Sequence, residues 1–355
     1  MPTPSKLLTI VVPTYNMEKY LRRCLDSLIV SDEQMQLLEV LVINDGSKDS
    51  SSQIAHEYQD RYPQTFRVID KENGNYGSCV NRGLDEATGK YIKILDADDW
   101  FDNANFDIYI DTIKGLDVDL VLNDFDLVYP DKIITKKLPL KSATILSLDS
   151  LLNNQHFYSM EMHNVAYRTE NIKKIGYRQT EGVPFTDQEW MFFPMSTVKN
   201  AFSMGFTLYK YVLGREGQTV DPALHKKNVG IDLRLLLGMI EKYSKSKDLV
   251  NGEYLLKRVC HRTISFYGLT LIRKELMDNE TLIEFDKNLK ETDIGIYNIV
   301  GEKTINRRCN FKYISWWRTH DHKPLPRYIL CYNSIVSRMG NWKNKIKSGL
   351  QNMYK

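Results

Sequence analysis

Three carboxylates lie within four positions of the sequence, in the segment KYIKILDADDW at residues 90–100. They belong to Asp96, Asp98 and Asp99, and at pH 7 their negative charges repel one another. The segment either forms a solvated corner of the chain, where this repulsion costs little, or holds a positively charged group. A divalent cation fits the second case, because Mg²⁺ and similar hard ions prefer carboxylate oxygens and bridge them to the phosphates of a substrate.

The elements that would position these acids can be read from the alternation of apolar patterns. Segments with apolar residues at helical spacing, such as EKYLRRCLDSLI, DSSSQIAHEYQDRY and GSCVNRGLDEAT, separate short apolar runs of strand length. The predicted strands are LLTIVV (7–12), LEVLVI (38–43), FRVI (66–69) and YIKIL (91–95). Strands whose residues are apolar on both faces, and which alternate with helices, predict an α/β fold with a parallel sheet covered on both faces.

A polar cluster stands at or shortly after the end of each predicted strand. The clusters are PTYN (13–16), NDGS (44–47), NGNYG (73–77) and DADD (96–99). The carboxyl ends of parallel strands lie along one edge of the sheet, and open α/β sheets bind their ligands at that edge. Any single cluster is typical of a turn, but four clusters rich in Asn and Asp favour a shared site.

Two common phosphate-binding motifs do not fit. A dinucleotide site would need G-x-G-x-x-G after the first strand, where the sequence has PTYN. The nearest approach to a P-loop, GLDEATGKY (83–91), is one residue too long and has Tyr where Ser or Thr should stand. An acidic edge suited to Mn²⁺ or Mg²⁺ remains.

Composition limits the class of protein. The 355 residues include 48 Lys and Arg against 45 Asp and Glu, a net charge of +3 that gives no global field for nucleic acid. Five scattered cysteines without C-x-x-C spacing indicate reduced thiols. The first apolar run is too short for a signal peptide, and no run reaches the length of a transmembrane helix. We predict a cytoplasmic protein, at most peripheral at the inner face of the cell membrane.

The three segments TIVVPTYNMEKYLRRCLDSL, LEVLVINDGSKDSS and GKYIKILDADDW resemble the N-terminal half of the nucleotide-sugar-dependent family 2 glycosyltransferases. The resemblance is close over residues 6–102 and looser to about residue 220. It implies the GT-A fold, a Rossmann-like and mostly parallel sheet with helices on both faces. It also implies a metal-dependent, inverting transfer of sugar from a nucleotide diphosphate sugar, commonly a UDP-sugar, to a hydroxyl of a cell-surface glycan or lipid-linked acceptor.

The resemblance also implies roles for individual residues. The segment from Pro13 to Tyr15 packs along the nucleotide, and Asp45 lies at its base. Asp96 lies near the ribose and the donor sugar, and Asp98 binds the metal on the diphosphate with Asp96 beside it. We expect Asp99 to cap a helix. The full set of predicted donor-binding residues is Pro13, Thr14, Tyr15, Asp45, Gly77, Asn81, Asp96, Ala97, Asp98 and Arg215.

The third cluster departs from the family pattern. Asn75 replaces a glycine, and Val80 stands where some members have arginine before Asn81. We therefore expect altered backbone geometry in this loop, with Gly77 supplying the flexibility one step later.

A second acidic segment, EGVPFTDQEWMFFP (181–194), flanks its carboxylates with aromatic and apolar residues, which suits a base tuned by partial burial. Asp187 falls on the catalytic aspartate of the family and is the predicted general base, with Glu189 in reserve. Taken alone, Asp187 could simply cap the helix QEWMFFPMS.

Three other residues have weaker signals. Arg215 lies in a glycine-containing loop that could close over a diphosphate, since its guanidinium matches phosphate oxygens, or it is an exposed arginine without a role. His163 is interpreted as structural. His225 is an alternative third metal ligand.

The remainder of the chain is predicted to be a helical extension (221–302) and a basic amphipathic tail (303–355), after a glycosyltransferase domain at 1–220. The tail has twelve Lys or Arg and one acid, Asp321. Within 327–350 an apolar stripe at helical spacing suits an anionic membrane surface, or a helix docked on the protein with a solvated basic face. The stripe comprises Tyr328, Tyr332, Ile335, Met339, Trp342, Ile346 and Leu350.

Two rival functions share the predicted fold. A sugar nucleotidyltransferase would need a glycine-rich, basic triphosphate loop after the first strand, and PTYN is not one. A non-catalytic interaction subunit would keep the fold without needing its acids, and the departures at Asn75 and Val80 leave this reading open.

Overall fold

The computed structural model describes residues 6–154, 157–158, 160–215, 218, 222–246, 251–306 and 308–336. The chain divides into two compact units, Met1–Asp221 with Ser246–Lys257, and Pro222–Lys245 with Arg258–Lys355. The three-part division predicted from the sequence stays a prediction. Within the described ranges, no helix has both the length and the apolar character needed to cross a bilayer.

The first four strands are the predicted ones, and they begin and end close to where the apolar runs predict them. The strands of the described residues are β1 (Leu8–Thr14), β2 (Leu38–Asn44), β3 (Phe66–Asp70), β4 (Tyr91–Ile94), β5 (Trp100–Phe101), β6 (Leu120–Val128), β7 (Ile133–Lys136), β8 (Thr144–Ser147), β9 (Val165–Arg168), β10 (Asn200–Val212), β11 (Thr304–Asn306) and β12 (Cys309–Lys312). Every residue of β1, β2 and β4 is buried, as continuous apolar runs indicate.

The first ten strands form one sheet in the order β3-β2-β1-β4-β9-β6-β10-β5, with β7 beside β6 and β8 beside β10. β1, β2, β3 and β4 pair in parallel, which confirms the predicted α/β class and the parallel arrangement of these strands. β9 then inserts antiparallel between β4 and β6. The sheet is therefore mixed. The four predicted strands form one parallel half, and β6 pairs in parallel with β10 in the remainder.

The helices of the first unit are α1 (Leu21–Asp26), α2 (Asp32–Leu37), α3 (Ser51–Arg61), α4 (Asn75–Glu86), α5 (Asn103–Lys114), α6 (Leu148–Leu152), α7 (Thr169–Lys174) and α8 (Asp187–Trp190). The helix predicted over QEWMFFPMS is broken into α8 and a 3₁₀ turn at Pro194–Thr197. Proline explains the break, because Pro194 has no N–H to donate to the preceding turn.

Helices cover both faces of the parallel half of the sheet. Ile10 and Val12 of β1 belong to one apolar core with Leu25 of α1 and Ile110 of α5. On the opposite face, a Cβ added at Gly83 of α4 would lie 2.4 Å from Val11, so α4 approaches β1 too closely for a larger residue. This contact fixes α4, and its N-terminus begins at the NGNYG cluster.

The later helices are α9 (Pro222–Lys227), α10 (Val229–Lys245), α11 (Gly252–Tyr267), α12 (Asn279–Thr292), α13 (Ile294–Gly301), α14 (Tyr313–Thr319) and α15 (327–336). α11 continues into a π-helical turn at Gly268–Arg273. β11 and β12 form a separate antiparallel hairpin. Asp278 and Asp293 cap α12 and α13 by accepting from the backbone N–H groups of Thr281 and Ile296.

Candidate functional site

The predicted clusters meet at the carboxyl ends of the parallel strands. The backbone N–H of Asp45 donates to the carbonyl of Thr14 at 2.8 Å, which joins the ends of β1 and β2. In the third cluster the Tyr76 hydroxyl reaches Asp96 in the fourth. Pro13 and Thr14 are buried, whereas 45% of Tyr15 is exposed. The edge thus presents one exposed aromatic ring beside several buried acids.

Asp45 is a buried carboxylate held from two sides. Its Oδ1 atom accepts from Lys71 Nζ at 2.6 Å and from the backbone N–H of Gly74 at 2.9 Å. Asn73 donates from its side-chain amide to the Asp45 carbonyl at 3.0 Å. The NGNYG loop is therefore anchored on Asp45, and Lys71 supplies a positive charge that the motifs did not indicate.

Asp96 lies at the centre of the acidic corner. Its Oδ1 atom accepts from the Tyr76 hydroxyl at 2.7 Å, and its backbone N–H donates to the Tyr209 hydroxyl at 3.1 Å. Burial and then the neighbouring Asp98 carboxylate raise the pKa of Asp96 to about 6, and Asp187 adds to the same shift. A nearby cation would relieve this electrostatic cost.

Asp98 has a basic partner. Its Oδ2 atom accepts from Arg215 Nε at 2.5 Å, so the structure brings these two predicted site residues together. Arg23 donates to the backbone carbonyl of Asp98 at 2.9 Å, and its guanidinium lies 3.9 Å from the centre of the Trp100 ring. Ala97, between the two acids, is buried.

Asp99 does not cap a helix, and the prediction for this residue is wrong. The cap of α5 is Asp102, whose side chain accepts from the backbone of Asn105. Asp99 instead accepts from the Tyr209 hydroxyl and from the backbone N–H of Val212, both at 2.8 Å, and so ties the corner to β10. Burial, followed by the charge of Asp98, raises its pKa well above the usual range for aspartate.

Ligand atoms of Asp96, Asp99 and His163 lie within 4.8 Å of one another and could hold a metal ion. The imidazole of His163 is buried against Tyr211, with ring centres 4.3 Å apart. Its Nδ1 atom lies 3.5 Å from Glu161 Oε2 and has no hydrogen-bond partner among the described residues. The sequence favours a structural role for His163, and its distance from the acids cannot be read from the motifs. The side chain of His225 lies outside the described residues.

The third cluster keeps a left-handed turn despite its departure from the family pattern. Asn75 has a φ of +65°, a conformation that asparagine tolerates better than most residues. Gly77 lies in α4 and is not among the described residues with positive φ, and the flexibility predicted for it stays a prediction. A Cβ there would lie 2.1 Å from the carbonyl oxygen of Thr180, so Gly77 allows a close backbone approach.

Asn81 joins α4 to the segment that precedes Asp187. Its amide donates to the carbonyl of Gln179 at 2.9 Å and to Glu181 at 2.8 Å, and its side-chain oxygen accepts from the backbone of Gln179. These bonds hold the predicted donor loop and the acidic segment together.

Asp187 is the first residue of α8, and its neighbour Gln188 donates to its Oδ2 atom at 2.9 Å. After burial and nearer groups, its charge contributes to the raised pKa values of Tyr76 and Asp96, so the two segments interact electrostatically. The reserve candidate Glu189 is buried and accepts from the backbone and hydroxyl of Thr180 at 2.7 and 3.0 Å. Glu189 therefore anchors the segment.

Lys93 is a buried residue near the corner that the motif analysis missed. Its ammonium donates to Asn123 Oδ1 and to the carbonyls of His163 and Val165 at 2.9–3.1 Å. Burial lowers its pKa to about 7. The signal was present, because a lysine interrupts the apolar run YIKIL at a position that a buried strand fills with apolar side chains.

Known proteins match both the sequence and the fold. Residues 9–176 match the model of Glycosyl transferase family 2. EpsH of Bacillus subtilis is 35% identical over 131 residues, 37% of this chain and 36% of that protein. The uncharacterized glycosyltransferase YibD of Escherichia coli is 28% identical over 276 residues, covering 72% and 78% of the two chains. The chain spans about a third of the length of the first curated relatives it matches.

Among solved structures, residues 1–349 of Staphylococcus aureus TarS, in complex with UDP-GlcNAc, superimpose with a TM-score of 0.68. The two chains are 18% identical, and the match covers 89% of this chain and 92% of that one. At this level of identity the likeness establishes the fold.

Proposed function

We propose that this chain transfers a sugar from a UDP-sugar to an acceptor hydroxyl, because its residues 9–176 match the model of Glycosyl transferase family 2. The acceptor in this proposal is a cell-surface glycan or a lipid-linked precursor. The observation that carries the proposal is the convergence of Asp96, Asp98 and Asp99 at one corner, where mutual repulsion and burial favour a bound cation.

The nucleotide is proposed to lie along the end of β1, with Asp45 beside its base. A carboxylate is an acceptor, so Asp45 would select a base that presents an N–H group, as uracil does. Lys71 and Gly74 fix the orientation of this carboxylate in advance. The complex of TarS with UDP-GlcNAc supports a uridine nucleotide for a chain with this fold.

Asp98 and Asp96 are proposed to hold Mn²⁺ or Mg²⁺. The donor set fits, because it offers hard carboxylate oxygens, and Asp96 is half-buried beside like charges that a cation would neutralise. Such a cation, when bound, offsets the negative charge that grows on the departing diphosphate. Tyr76 holds the Asp96 carboxylate in place through its hydroxyl.

Asp187 is proposed to take the proton of the acceptor hydroxyl as general base. It is half-buried, it interacts electrostatically with Asp96, and it lies on a segment that Asn81 and Glu189 anchor. A base opposite the leaving diphosphate gives direct displacement, and the anomeric configuration of the sugar is then inverted. Proton NMR of the product would report the configuration.

The test is titration calorimetry of UDP with and without Mn²⁺, on the wild type, Asp98→Asn and Asp187→Asn. We expect metal-dependent binding in the wild type, loss of that binding in Asp98→Asn, and retained binding in Asp187→Asn. In a transfer or donor-hydrolysis assay, Asp187→Asn should lose about 10³-fold in kcat, within the range of general bases. If the wild type bound none of UDP, GDP and dTDP, the result would instead favour the non-catalytic interaction subunit.

The basic tail is proposed to attach the protein to an anionic membrane, where a lipid-linked acceptor would lie. In α15, Tyr328, Tyr332 and Ile335 are 71%, 40% and 57% exposed, which is unusual for a stripe of large apolar residues. The rest of the predicted stripe lies outside the described residues. The wild type should sediment together with phosphatidylglycerol vesicles, and a smaller fraction of a Tyr328→Ser/Ile335→Ser variant should do so. Equal binding to pure phosphatidylcholine would contradict the role of charge.

A further inference from the structure

Arg215 is paired with the carboxylate that the proposed function assigns to the metal. Its Nε atom lies 2.5 Å from Asp98 Oδ2, and both side chains are mostly buried, with 20% and 10% of their surfaces exposed. An ion pair between partly desolvated groups is screened less than one at the surface. The Arg215 charge is therefore felt strongly at the position that a cation bound to Asp98 would occupy.

The backbone at Arg215 has hydrogen bonds to a neighbouring side chain. Gln218 is buried, and its Oε1 atom accepts from the backbone N–H groups of Gly214 and Arg215 at 2.9 and 3.2 Å. Its side-chain amide donates to the carbonyl of Val212 at 2.6 Å. Val212 in turn donates to Asp99, so Arg215 is fastened to the same corner it neutralises.

Charge balance then decides what the corner can bind. A divalent cation on Asp98 would place two positive groups on one carboxylate, and their repulsion opposes binding of the cation alone. A diphosphate removes the conflict, because its oxygens accept from the planar guanidinium and also ligate the cation. The side chain of Arg215 can turn from the carboxylate to the phosphate while its backbone stays fixed.

We propose that Arg215 is a counter-ion that exchanges between Asp98 and the diphosphate of the donor, and so makes the cation and the nucleotide bind interdependently. The inference rests on the proposed function, in which Asp98 helps to hold a divalent cation. It gives Arg215 a role in suppressing binding of the metal alone, in addition to contacting the donor. The predicted consequence is strong coupling: each ligand binds much more tightly when the other is present.

The experiment measures Mn²⁺ binding from the electron paramagnetic resonance signal of free Mn²⁺, with and without saturating UDP. The variants are the wild type, Arg215→Gln and Arg215→Lys. We expect Arg215→Gln to bind Mn²⁺ alone about tenfold more tightly than the wild type and to lose most of the tightening caused by UDP. Arg215→Lys keeps the charge without the planar fork, so it should suppress Mn²⁺ alone but couple less strongly to UDP.

Arg23→Gln is the matched control, because it removes a positive charge close to Asp98 without touching the carboxylate. Arg23 donates to the Asp98 carbonyl and stacks on Trp100. Its Mn²⁺ affinity and its coupling to UDP should stay near those of the wild type. If Arg23→Gln reproduced the effect of Arg215→Gln, the general field of the site, and no specific exchange, would be responsible.

Two negative results have different meanings. Asp98-dependent Mn²⁺ binding in the wild type that is unchanged in Arg215→Gln, with and without UDP, would overturn the exchange and leave the proposed function standing. Absence of Mn²⁺ binding to the wild type under both conditions, with no difference in Asp98→Asn, would overturn the exchange and the metal dependence together.

Discussion

The two units bury charged side chains in opposite ways. At the corner of the first unit, Asp96, Asp98 and Asp99 lie together, and the described residues pair one of these carboxylates with a basic side chain, Arg215. In the second unit, Arg318 donates to Asp286 at 2.8 Å and to the carbonyl of Tyr297 at 2.7 Å, with both charged side chains 8% exposed.

The second cluster is electrostatically complete. The Asp286 carboxylate also accepts from the hydroxyl of Tyr267, and the guanidinium of Arg318 lies 3.5 Å from the centre of the Tyr297 ring. One charge is matched with one charge, and the guanidinium also donates to the Tyr297 carbonyl and the Tyr267 hydroxyl. Burial of charge alone therefore does not mark a functional site. An excess of buried charge of one sign does, because the repulsion between the like charges persists until a ligand of opposite charge binds.

Neutralising one acid in each cluster, with Asp286→Asn and Asp98→Asn, should have the largest effect on stability. Asp286→Asn leaves the buried Arg318 cation without its partner, and we expect a loss of about 3–5 kcal/mol in the free energy of unfolding. Asp98→Asn loses the pair with Arg215 but also removes repulsion with two carboxylates, so the change in unfolding should stay within about 1 kcal/mol. Urea denaturation followed by circular dichroism measures both.

Activity should rank the two variants in the reverse order. Asp98→Asn is expected to lose at least about 100-fold in kcat/KM, as expected when a group that stabilises charge in the transition state is removed. Asp286→Asn, assayed at a temperature where it is folded, should stay within a few-fold of the wild type. If Asp98→Asn destabilised the fold as much as Asp286→Asn, the acidic corner would be structural and the comparison would fail.

Lys93 is a second buried basic residue, and it differs from Arg318 in its partners. Its hydrogen bonds go to the oxygens of an amide and two carbonyls, whereas Arg318 bonds a carboxylate. Burial lowers the pKa of Lys93 to about 7 in the folded state, against about 10.4 in an unfolded chain. Between these values the unfolded state binds the proton that the folded state lacks, so stability rises with pH from about 7 upwards.

The variant Lys93→Met removes this titration and keeps the other titratable groups, so it is the reference for their contribution to the pH dependence of stability. The free energy of unfolding of the wild type, relative to Lys93→Met, should rise by up to about 1.4 kcal/mol per pH unit between pH 7.5 and 9.5. Urea denaturation at three pH values in this interval measures the slope. Parallel curves for the two proteins would mean that the three acceptor oxygens keep Lys93 charged throughout.

Gly77 tests how firmly the acidic corner is attached to the segment that carries Asp187. The Cβ of Gly77→Ala would lie 2.1 Å from the carbonyl oxygen of Thr180, a backbone atom that cannot swing aside. Either α4 or the Thr180 segment must move, at a cost of about 2 kcal/mol in unfolding free energy. Gly115→Ala is the control, because its Cβ would meet nothing within 4 Å, and it should change stability by less than about 1 kcal/mol.

If the contact positions Asp187, Gly77→Ala should lower kcat more than it weakens binding of UDP. Equal losses in UDP affinity and kcat would mean that the donor loop itself had moved. Stability equal to that of Gly115→Ala would show that the close approach at Gly77 imposes no constraint.

The parallel half of the sheet could be predicted because each of its strands is indicated by its own short segment of sequence. LTIVVPT and LEVLVIN are buried at every residue, and a continuous apolar run predicts this burial without information from the rest of the chain. The antiparallel insertion of β9 between β4 and β6 could not be predicted, because VAYR is short and its partners are set by the packing of distant segments.

The site divides in the same way. The acids at the strand ends follow from the topology, since one sheet edge collects them. Their partners do not: Asp99 bonds residues 110 and 113 positions further along the chain, and Arg215 reaches Asp98 across 117 positions. The local sequence predicts a cap at Asp99 because a helix follows it closely, whereas β10, to which it bonds, is distant in the chain.

The smallest effect is expected at Asn75, where the comparison concerns backbone strain. Asn75 is exposed and adopts a left-handed φ of +65° directly before Tyr76, which holds Asp96. Asn75→Gly should be neutral to within about 0.5 kcal/mol, because glycine adopts this conformation freely but loses more entropy on folding. Asn75→Ala should cost about 1 kcal/mol, since a Cβ without a compensating polar side chain disfavours the left-handed region. Urea denaturation distinguishes the two.

The same pair of variants tests whether Asn75 positions Tyr76. If it does, Asn75→Ala should weaken Mn²⁺-dependent UDP binding, whereas Asn75→Gly should not. Equal stability and equal UDP affinity in both variants would mean that the turn carries no strain and that Tyr76 is positioned by its other contacts.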